Sequence, residues 1–304
     1  MDYSFSRYLA AKRSVDDRAL NRAVWQATAR FLGDNLNCRV LEAGAGTGVM
    51  FQRMVEWGAL QRADYLAVDA SAENIAAARQ TLPDWARAHG LGWDEAEAGR
   101  ALVFTSDHHH LRLEFETADI YAFISREAGW HDWDLLMAHA FIDLFDPRDL
   151  LPRLARLVRP EGRMYLTINF DGETIFEPVW DAELEAQIIS AYHRSMDERV
   201  TDGRPSGDSR AGRHLFQVLA ENGLEILEAG SSDWVVFPRQ GSYPADEAYF
   251  LHHILHFFEE TIATRPEIDQ ARFLDWVQRR HAQVERGELV YLAHQFDFLA
   301  RKPF

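Results

Sequence analysis

The chain has 304 residues, of which 47% are hydrophobic and 26% charged, and its formal net charge at pH 7 is −16. No apolar run approaches the roughly 18 residues that cross a bilayer, and so strong a negative charge disfavours binding to phosphate backbones. The first residues lack the pattern of a secretory signal, and the single Cys38 excludes an internal disulfide. We therefore expect a cytoplasmic protein without a membrane span and without a nucleic-acid partner.

After a helical segment at residues 1–35, short apolar runs of β type alternate with helical patterns. This order predicts a parallel sheet covered by helices on both faces, which we place at residues 36–172. Pro83 stands inside the second helical pattern of this core and is expected to bend or end that helix. The five predicted strands lie, in chain order, within the runs CRVLEAG, ADYLAVDA, LRLEFETADI, WDLLMAHAF and RMYLTINF.

The remainder of the chain departs from this repeat. Residues 173–222 predict a helix, a polar loop and a second helix. Residues 223–304 hold two late strands, and a helical insertion at residues 245–286 separates them. This separation is far longer than a hairpin loop, which has roughly two to five residues. We expect one overall domain in which this insertion is a lid or a homodimer interface.

The loop after the first strand carries three glycines. A dinucleotide-binding loop has the spacing G-x-G-x-x-G, but Gly44, Gly46 and Gly48 alternate strictly, and Val49 stands where the third dinucleotide glycine would fall. Glu42, two residues before Gly44, would repel a pyrophosphate but could receive a cation. The loop therefore favours a zwitterionic ligand over a dinucleotide.

The pattern E-x-G-x-G-x-G at residues 42–48 resembles the first motif of the class I S-adenosylmethionine (SAM) dependent methyltransferases. Asp69 ends the second strand, where a carboxylate can accept both hydroxyls of a ribose. The run FETADIYAF is similar to the third motif of the family, in which an acid, here Asp119, takes the adenine amino group while Ile120 lends its backbone and apolar side chain. The runs WDLLMAHAFIDLF and LARLVRPEGRMYLTINF are similar to the fourth and fifth strands of the family.

The resemblance covers roughly residues 36–170. It implies a Rossmann-like α/β fold with a seven-stranded, mostly parallel sheet, an antiparallel last strand and helical lid insertions. It also implies SAM as cofactor and S-adenosylhomocysteine as product. The run GRHLFQVLAENGLEILEAG looks like the tail of ubiquinone and menaquinone methyltransferases. The cofactor-binding residues predicted on this basis are Glu42, Gly44, Ala45, Gly46, Gly48, Asp69, Ala70, Asp119, Ile120 and Ala138.

Methyl transfer from a sulfonium requires alignment of the acceptor, and a base only when the nucleophile starts protonated. His139 follows the fourth strand and is the predicted catalytic residue, as a positioning group or as the base. Residues 173–222 are expected on the acceptor side, although a solvated loop is the alternative for their polar part. The predicted acceptor-binding residues are Asn169, Phe170, Tyr192, His193, Arg199 and Arg213.

Two further features have open interpretations. His252, His256 and Glu260 share one helix face, but their apolar neighbours favour packing, so no metal site is predicted. The N-terminal aromatic residues 3–8 either fold over the SAM pocket or simply pack, and Ser14 is expected to begin a helix with Asp17 in a capping box.

These observations predict SAM-dependent methyl transfer to a small-molecule acceptor by in-line displacement. Three alternatives stay open at this point. One is a SAM-binding protein without transfer activity, and another is an NAD(P)-dependent oxidoreductase, against which Val49 and Glu42 argue. The third is a different transfer from a SAM relative, such as aminopropyl transfer, although the acidic acceptor motif expected for polyamines is not evident.

Overall fold

The computed structural model describes residues 3–35, 37–97, 99–127, 129 and 132–304. The elements of the N-terminal segment and of the core are α1 (Phe5–Ala11), α2 (Arg13–Ala19), α3 (Arg22–Asp34), β1 (Cys38–Ala43), α4 (Val49–Glu56), β2 (Arg62–Asp69), α5 (Ala72–Ala88), β3 (Gly92–Ala96), β4 (Ala101–Thr105), β5 (His110–Thr117), α6 (Ile120–Arg126), β6 (Trp133–His139), a 3₁₀ helix (Ile142–Leu144), α7 (Pro147–Leu157) and β7 (Val158–Glu177). The later elements are α8 (Ala182–Asp197), β8 (Val200–Thr201), β9 (Arg204–Pro205), α9 (Ala211–Glu221), β10 (Glu225–Ser231), β11 (Trp234–Val236), α10 (Glu247–Ile262), α11 (Gln270–Glu285) and β12 (Val290–Arg301).

The central sheet has the strand order β10-β12-β7-β6-β1-β2-β5-β4-β3, and β11 pairs with β12. The strands β5, β2, β1, β6 and β7 are parallel, and β12 runs antiparallel to both β7 and β10. The predicted Rossmann-like, mostly parallel sheet with an antiparallel last strand is thus confirmed. The described sheet is larger than seven strands, because β3 and β4 extend one edge as antiparallel strands and β11 adds to β12.

Helices cover both faces of this sheet. On one face α3, α4 and α5 bury residues such as Val24, Phe51 and Leu82, and on the other face α6, α7 and α9 bury residues such as Phe123 and Leu154. Apolar spacing at three and four residues along each helix puts these side chains on one stripe. Because both faces are covered, the parallel strands consist of nearly continuous apolar runs, and the carboxyl ends of β1, β2 and β6 meet at one edge.

A third apolar cluster lies beside the parallel core. The strands β7 and β12 continue past the core as an antiparallel ribbon, in which Val290 pairs with Glu177. The helices α8, α10 and α11 and the N-terminal helices pack on this ribbon through Tyr8, Phe258 and Trp276, among others. The predicted segment boundary at residue 172 falls inside β7, so the core and the segment at residues 173–222 are joined by one continuous strand.

Two local predictions need correction, because Pro83 does not end its helix and Ser14 does not begin one. The helix α5 runs through Pro83 to Ala88, since the apolar contacts of its buried face outweigh the one backbone hydrogen bond that proline removes. Ser14 caps no helix: it lies within α2, where its hydroxyl donates to Glu247 Oε1 at 2.7 Å, and the N-cap of α2 is Lys12. No helix among the described residues is long and apolar enough to cross a membrane. A cytoplasmic location and a dimer contact through residues 245–286 stay predictions.

Candidate active site

A cavity of about 350 Å³ opens at the carboxyl edge of the sheet, above the ends of β1, β2 and β6. Its walls come from the glycine loop, from the start of α6, and from the N-terminal helices. The predicted cofactor residues that line it are Glu42, Gly44, Ala45, Gly46, Asp69, Ala70, Asp119 and Ile120. Ala138 is fully buried under this edge, and Gly48 forms the N-cap of α4 just behind the loop.

The glycine loop has a left-handed backbone that favours glycine. The φ angles of Gly44, Gly46 and Gly48 are +72°, +55° and +77°. A Cβ atom at Gly44 would overlap the ring of Phe141, whereas one at Gly46 would have only Leu9 nearby, at 3.8 Å. Since Gly46 lines the cavity, its missing side chain is space that a ligand can approach closely.

Asp69 fixes this loop to the end of β2. Its Oδ2 accepts a hydrogen bond from the Gly46 backbone N–H at 2.8 Å, and its Oδ1 accepts from Ser71 N at 2.8 Å and from Asn74 Nδ2 at 3.2 Å. At the next strand end, Asp119 caps α6 by accepting from two backbone N–H groups through Oδ1 alone. Both acids therefore face the cavity with a fixed orientation.

Glu42 lies at the bottom of the cavity and is 1% exposed. Burial raises the pKa of its carboxyl to about 8, and the hydrogen bond from the Tyr65 hydroxyl at 2.6 Å opposes this only in part. The group is therefore largely protonated at neutral pH. A cation entering the cavity would favour its ionised form.

A buried polar network connects the N-terminal helices to the sheet edge. Asp16 is its centre: Oδ1 accepts from the indole N–H of Trp234 at 2.9 Å, and Oδ2 lies 2.7 Å from Lys12 Nζ and 3.1 Å from His139 Nε2. The other ring nitrogen of His139 lies 2.8 Å from Thr167 Oγ1. Burial alone would raise the pKa of Asp16, but Lys12 and His139 outweigh it and hold that pKa well below its usual range.

His139 is neutral in this network. Burial lowers its pKa to about 4, and the hydrogen bond to Asp16 opposes that shift only partly. Since Asp16 is a carboxylate, Nε2 carries the proton and donates to it, and Nδ1 accepts from the Thr167 hydroxyl. Both ring nitrogens are occupied within the protein, so the geometry supports a positioning role over that of a general base.

A second cavity of about 820 Å³ adjoins the first. Its walls come from α1, the residues that follow β6, the segment from β7 to α8, β11, α10 with the residues that follow it, and β12. Five residues border both cavities, namely Phe5, Leu9, Lys12, Ala140 and Leu144. A ligand in the first cavity can therefore reach a ligand in the second past these side chains.

The inner wall of the second cavity includes a strained position. Ile168 has a φ of +56°, which is costly for a β-branched residue, next to the irregular pairing of β7 with β12. Its backbone N–H donates to Asp297 Oδ1 at 2.7 Å, which offsets part of that cost. Such strained backbone is concentrated at ligand sites.

Comparison with known proteins bears on this site. No protein-family model matches the chain. Proteins named uncharacterized methyltransferase from Mycobacterium bovis and Mycobacterium tuberculosis are each 28% identical over 205 residues, which cover 66% of this chain and 68% of theirs. The chain is a homologue of named methyltransferases. This relationship confirms the resemblance that the sequence motifs indicate.

Solved structures also match most of the chain. The cyclopropane synthase MmaA2 from Mycobacterium tuberculosis is 12% identical, covering 92% of this chain and 83% of that one, with a TM-score of 0.46. A geranyl diphosphate methyltransferase in complex with SAM is 13% identical, covering 92% of this chain and 84% of that one, with a TM-score of 0.42.

Three of the predicted acceptor residues line the second cavity: Phe170, Tyr192 and Arg199. The guanidinium of Arg199 donates to Ser206 O at 2.8 Å and thereby holds the loop after α8. Two segments were expected to close the acceptor site, one around α8 and one around α10. Both contribute residues to the walls of the second cavity.

The other three predicted acceptor residues do not line that cavity. Arg213 forms a bidentate ion pair with Asp171, at 2.8 and 2.9 Å, so its guanidinium is already occupied. His193 is turned to the Thr174 hydroxyl at 3.0 Å and borders a separate cavity. Asn169 is fully buried, and its Nδ2 donates to Phe296 O at 2.8 Å.

The histidines of α10 are packed among aromatic rings. His256 stacks on Tyr3 with ring centroids 4.0 Å apart, and His252 Nδ1 lies 2.7 Å from His281 Nδ1. Within the described ranges, no group of three or more His, Cys, Asp or Glu side chains is placed to hold a metal ion.

Of the two interpretations left open for the N-terminal aromatic residues, folding over the pocket fits Phe5, which lines both cavities, but Lys12 and Asp16 were not identified from the sequence. Lys12 and Asp16 lie four residues apart on a short polar stretch, a spacing that also fits an ordinary exposed ion pair. Phe141 closes on the glycine loop from the end of β6, but its run resembles any apolar strand end. Only tertiary packing identifies these residues, although the N-terminal aromatic cluster was one available signal.

Proposed function

We propose that the protein is a SAM-dependent methyltransferase that acts on a small molecule. The observation that carries this proposal is the pair of adjoining cavities at the carboxyl edge of the sheet, one bordered by the glycine loop and four acids and the other by the helices α8 and α10. Ligands of open α/β sheets bind outside this edge. The homology to named methyltransferases supports the same activity.

The residues of the first cavity fit SAM. Glu42 is a buried acid that forms no salt bridge among the described residues and feels Arg53 only at a distance, which suits the ammonium of a methionine moiety. Gly46 leaves room for close approach, Asp69 is placed to accept ribose hydroxyls, and Asp119 Oδ2 has no hydrogen-bond partner among the described residues and is placed to accept from the adenine amino group. When bound, SAM supplies an electrophilic methyl group on a sulfonium.

The chain contributes alignment and enclosure to the transfer. In-line displacement requires that the acceptor approach the methyl carbon from the side opposite the C–S bond that breaks. The two cavities meet along α1 and Ala140, which allows such an approach from the second cavity. His139 holds Asp16 and thereby the junction of α1 and α2, so we assign it a positioning role. The lid walls exclude water that would compete for alignment. A volume of about 820 Å³ is within the range of small-molecule sites.

The test of this proposal is SAM binding to Gly46→Ala by calorimetry, with Gly58→Ala as the matched control. Both glycines have a positive φ, +55° and +71°, so both substitutions strain the backbone similarly, but only the methyl group at Gly46 enters the cavity. We expect Gly46→Ala to weaken SAM binding at least about tenfold, or about 1.4 kcal/mol, and Gly58→Ala to leave it unchanged.

A turnover assay then separates transfer from mere binding. The wild-type protein is incubated with SAM and a metabolite library, and S-adenosylhomocysteine is quantified by mass spectrometry. Equal SAM affinity in both glycine variants would contradict the cofactor site. Tight SAM binding with no product from any acceptor would instead support the binding-protein alternative.

A further inference from the structure

Among the five residues that border both cavities, Lys12 is the only one with a polar side chain. It lies where α1 ends and α2 begins, and it is 6% exposed. Its Nζ lies 5.3 Å from the ring centroid of Trp234. A positive charge is therefore held at the place where the proposed cofactor and acceptor would meet.

The ammonium group of Lys12 has unused hydrogen-bonding capacity. It can donate three hydrogen bonds, and its ionic partner among the described residues is the Asp16 carboxylate at 2.7 Å. In the part of the chain that the structure describes, Lys12 Nζ is buried without a hydrogen-bond partner of good geometry, and the Asp16 oxygens also accept from Trp234 and His139. Leaving the remaining N–H groups of a buried cation without acceptors is costly, so a ligand that supplies an electron-rich oxygen is favoured there.

The rest of the second cavity indicates what that oxygen is attached to. Its walls carry the aromatic rings of Tyr8, Phe170, Tyr192, Trp234 and Tyr291. Flat aromatic molecules pack well against such rings in offset or edge-to-face geometry. Gln295 Oε1 also borders this space, is buried, and has no hydrogen-bond partner among the described residues, so it would accept from a second polar group of the ligand.

We infer that Lys12 binds the acceptor of this proposed methyltransferase, and that the acceptor is a hydroxylated aromatic molecule which reacts through its ionised oxygen. This inference rests on the proposed function. The hydroxyl loses its proton to solvent on binding beside Lys12. An electron pair of the oxygen forms the new O–C bond to the methyl carbon, the C–S electron pair returns to sulfur, and the products are a neutral methyl ether and S-adenosylhomocysteine.

The ionisable groups that face Lys12 come from several elements. They are Asp16 on α2, His139 at the end of β6 and Asp143 in the 3₁₀ helix. Two more distant groups interact electrostatically with Asp16, namely Arg53 on α4 and Asp297 on β12. Burial raises the pKa of Asp143 to about 6, so its negative charge is present at neutral pH. Because the pKa of Asp143 is about 6 and that of Glu42, which lines the same cavity as Lys12, is about 8, wild-type protein and every variant are titrated over the same pH range, so that these groups contribute equally to each curve.

The test uses 7-hydroxycoumarin as the probe, because its phenol and phenolate forms have different absorption and fluorescence. The pKa of the bound probe is titrated with wild-type protein, with Lys12→Met and with Lys12→Arg. It is also titrated with the double variant Lys12→Met, Asp16→Asn, which removes both charges of the pair and so leaves no unpaired Asp16 charge that could unfold the site. Lys302→Met is the matched control, since that lysine donates to Ala155 O and Val158 O away from both cavities.

With wild-type protein and the control we expect the pKa of the probe to fall by about one unit or more, which corresponds to a tenfold change in its ionisation. The fall should be lost with both Lys12→Met proteins and partly kept with Lys12→Arg. SAM affinity, measured in parallel, should change less than about threefold, because the lysine acts on the acceptor. The probe 7-aminocoumarin, which has no acidic oxygen, should bind at least about tenfold more weakly.

Several outcomes overturn the inference while leaving the proposed function intact. These are SAM binding with no binding of 7-hydroxycoumarin, an equal pKa of the probe with wild-type protein and both Lys12→Met proteins, or equal binding of the amino probe. Loss of SAM binding with an unchanged pKa of the probe would place Lys12 on the cofactor instead. Failure of the wild-type protein to bind SAM would overturn the proposed function itself.

Discussion

The substitution Asp16→Ala should be among the most destabilising in this protein. The side chain of Asp16 is 3% exposed, and that of its partner Lys12 is 8% exposed. The Asp16 carboxylate lies 2.7 Å from Lys12 Nζ. Removing one partner of a buried ion pair costs about 3–5 kcal/mol, because the remaining charge stays buried without compensation. The indole N–H of Trp234 and the Nε2–H of His139 also lose their acceptor, so we expect a value at the upper end of that range.

Equilibrium unfolding in urea, followed by tryptophan fluorescence, measures this cost as a change in the free energy of unfolding. The double variant Lys12→Met, Asp16→Ala should recover about 1–3 kcal/mol relative to Asp16→Ala, since it removes the stranded charge. The control is Asp275→Ala, which breaks the i,i+4 pair with Arg279, where the side chains are 45% and 52% exposed. That pair should contribute less than about 0.5 kcal/mol. A cost of Asp16→Ala below about 1 kcal/mol, or no recovery in the double variant, would refute the reasoning.

The remaining predictions concern the ligands. The raised pKa of Glu42, about 8, means that its carboxyl must release a proton before it pairs with an ammonium. SAM should therefore bind up to about tenfold more tightly at about pH 7 than at about pH 6. Calorimetry on Glu42→Gln should show no such pH dependence. Asp119→Ala should weaken SAM binding by about 1–3 kcal/mol and also lose the cap of α6, whereas Asp119→Ser should weaken binding but keep the melting temperature; unchanged affinity in both would exclude the adenine contact. Arg199→Ala should lower turnover while SAM affinity is kept, and Arg213→Ala, whose partner is outside the cavity, should turn over normally; equal rates in the two variants would remove Arg199 from the acceptor site.

The parts of the fold that the sequence predicts well are those that depend on local pattern. The apolar runs of β1, β2 and β6 and the spacing of Gly44, Gly46 and Gly48 identify the sheet and its ligand edge, because strand burial and left-handed turns restrict residue type locally. The strand β3 was missed for the same reason: GWDEA is an exposed edge strand with little apolar content, and only its pairing with β4 orders it.

The acceptor side was harder to predict because it depends on distant partners. A dense set of charges around residues 193–214 resembles a recognition site, but sequence does not show that Arg213 is already paired with Asp171, 42 residues earlier. Conversely, Lys12 and His139 are separated by more than a hundred residues in sequence, and both contact Asp16 only after α2 has packed against β6 and β11. No periodicity in the chain encodes such a meeting.

The shared wall between the two cavities has a thermodynamic consequence. Since α1 borders both spaces, any restriction of its motion by the first ligand also serves the second, and the conformational entropy of that restriction is lost only once. The two ligands should therefore bind with positive cooperativity even where they make no contact with each other. By linkage, an acceptor that tightens SAM binding by a given factor must itself be tightened by SAM by the same factor. After transfer, loosening of α1 on departure of one product would lower the affinity for the other, so that the two products leave as a coupled pair.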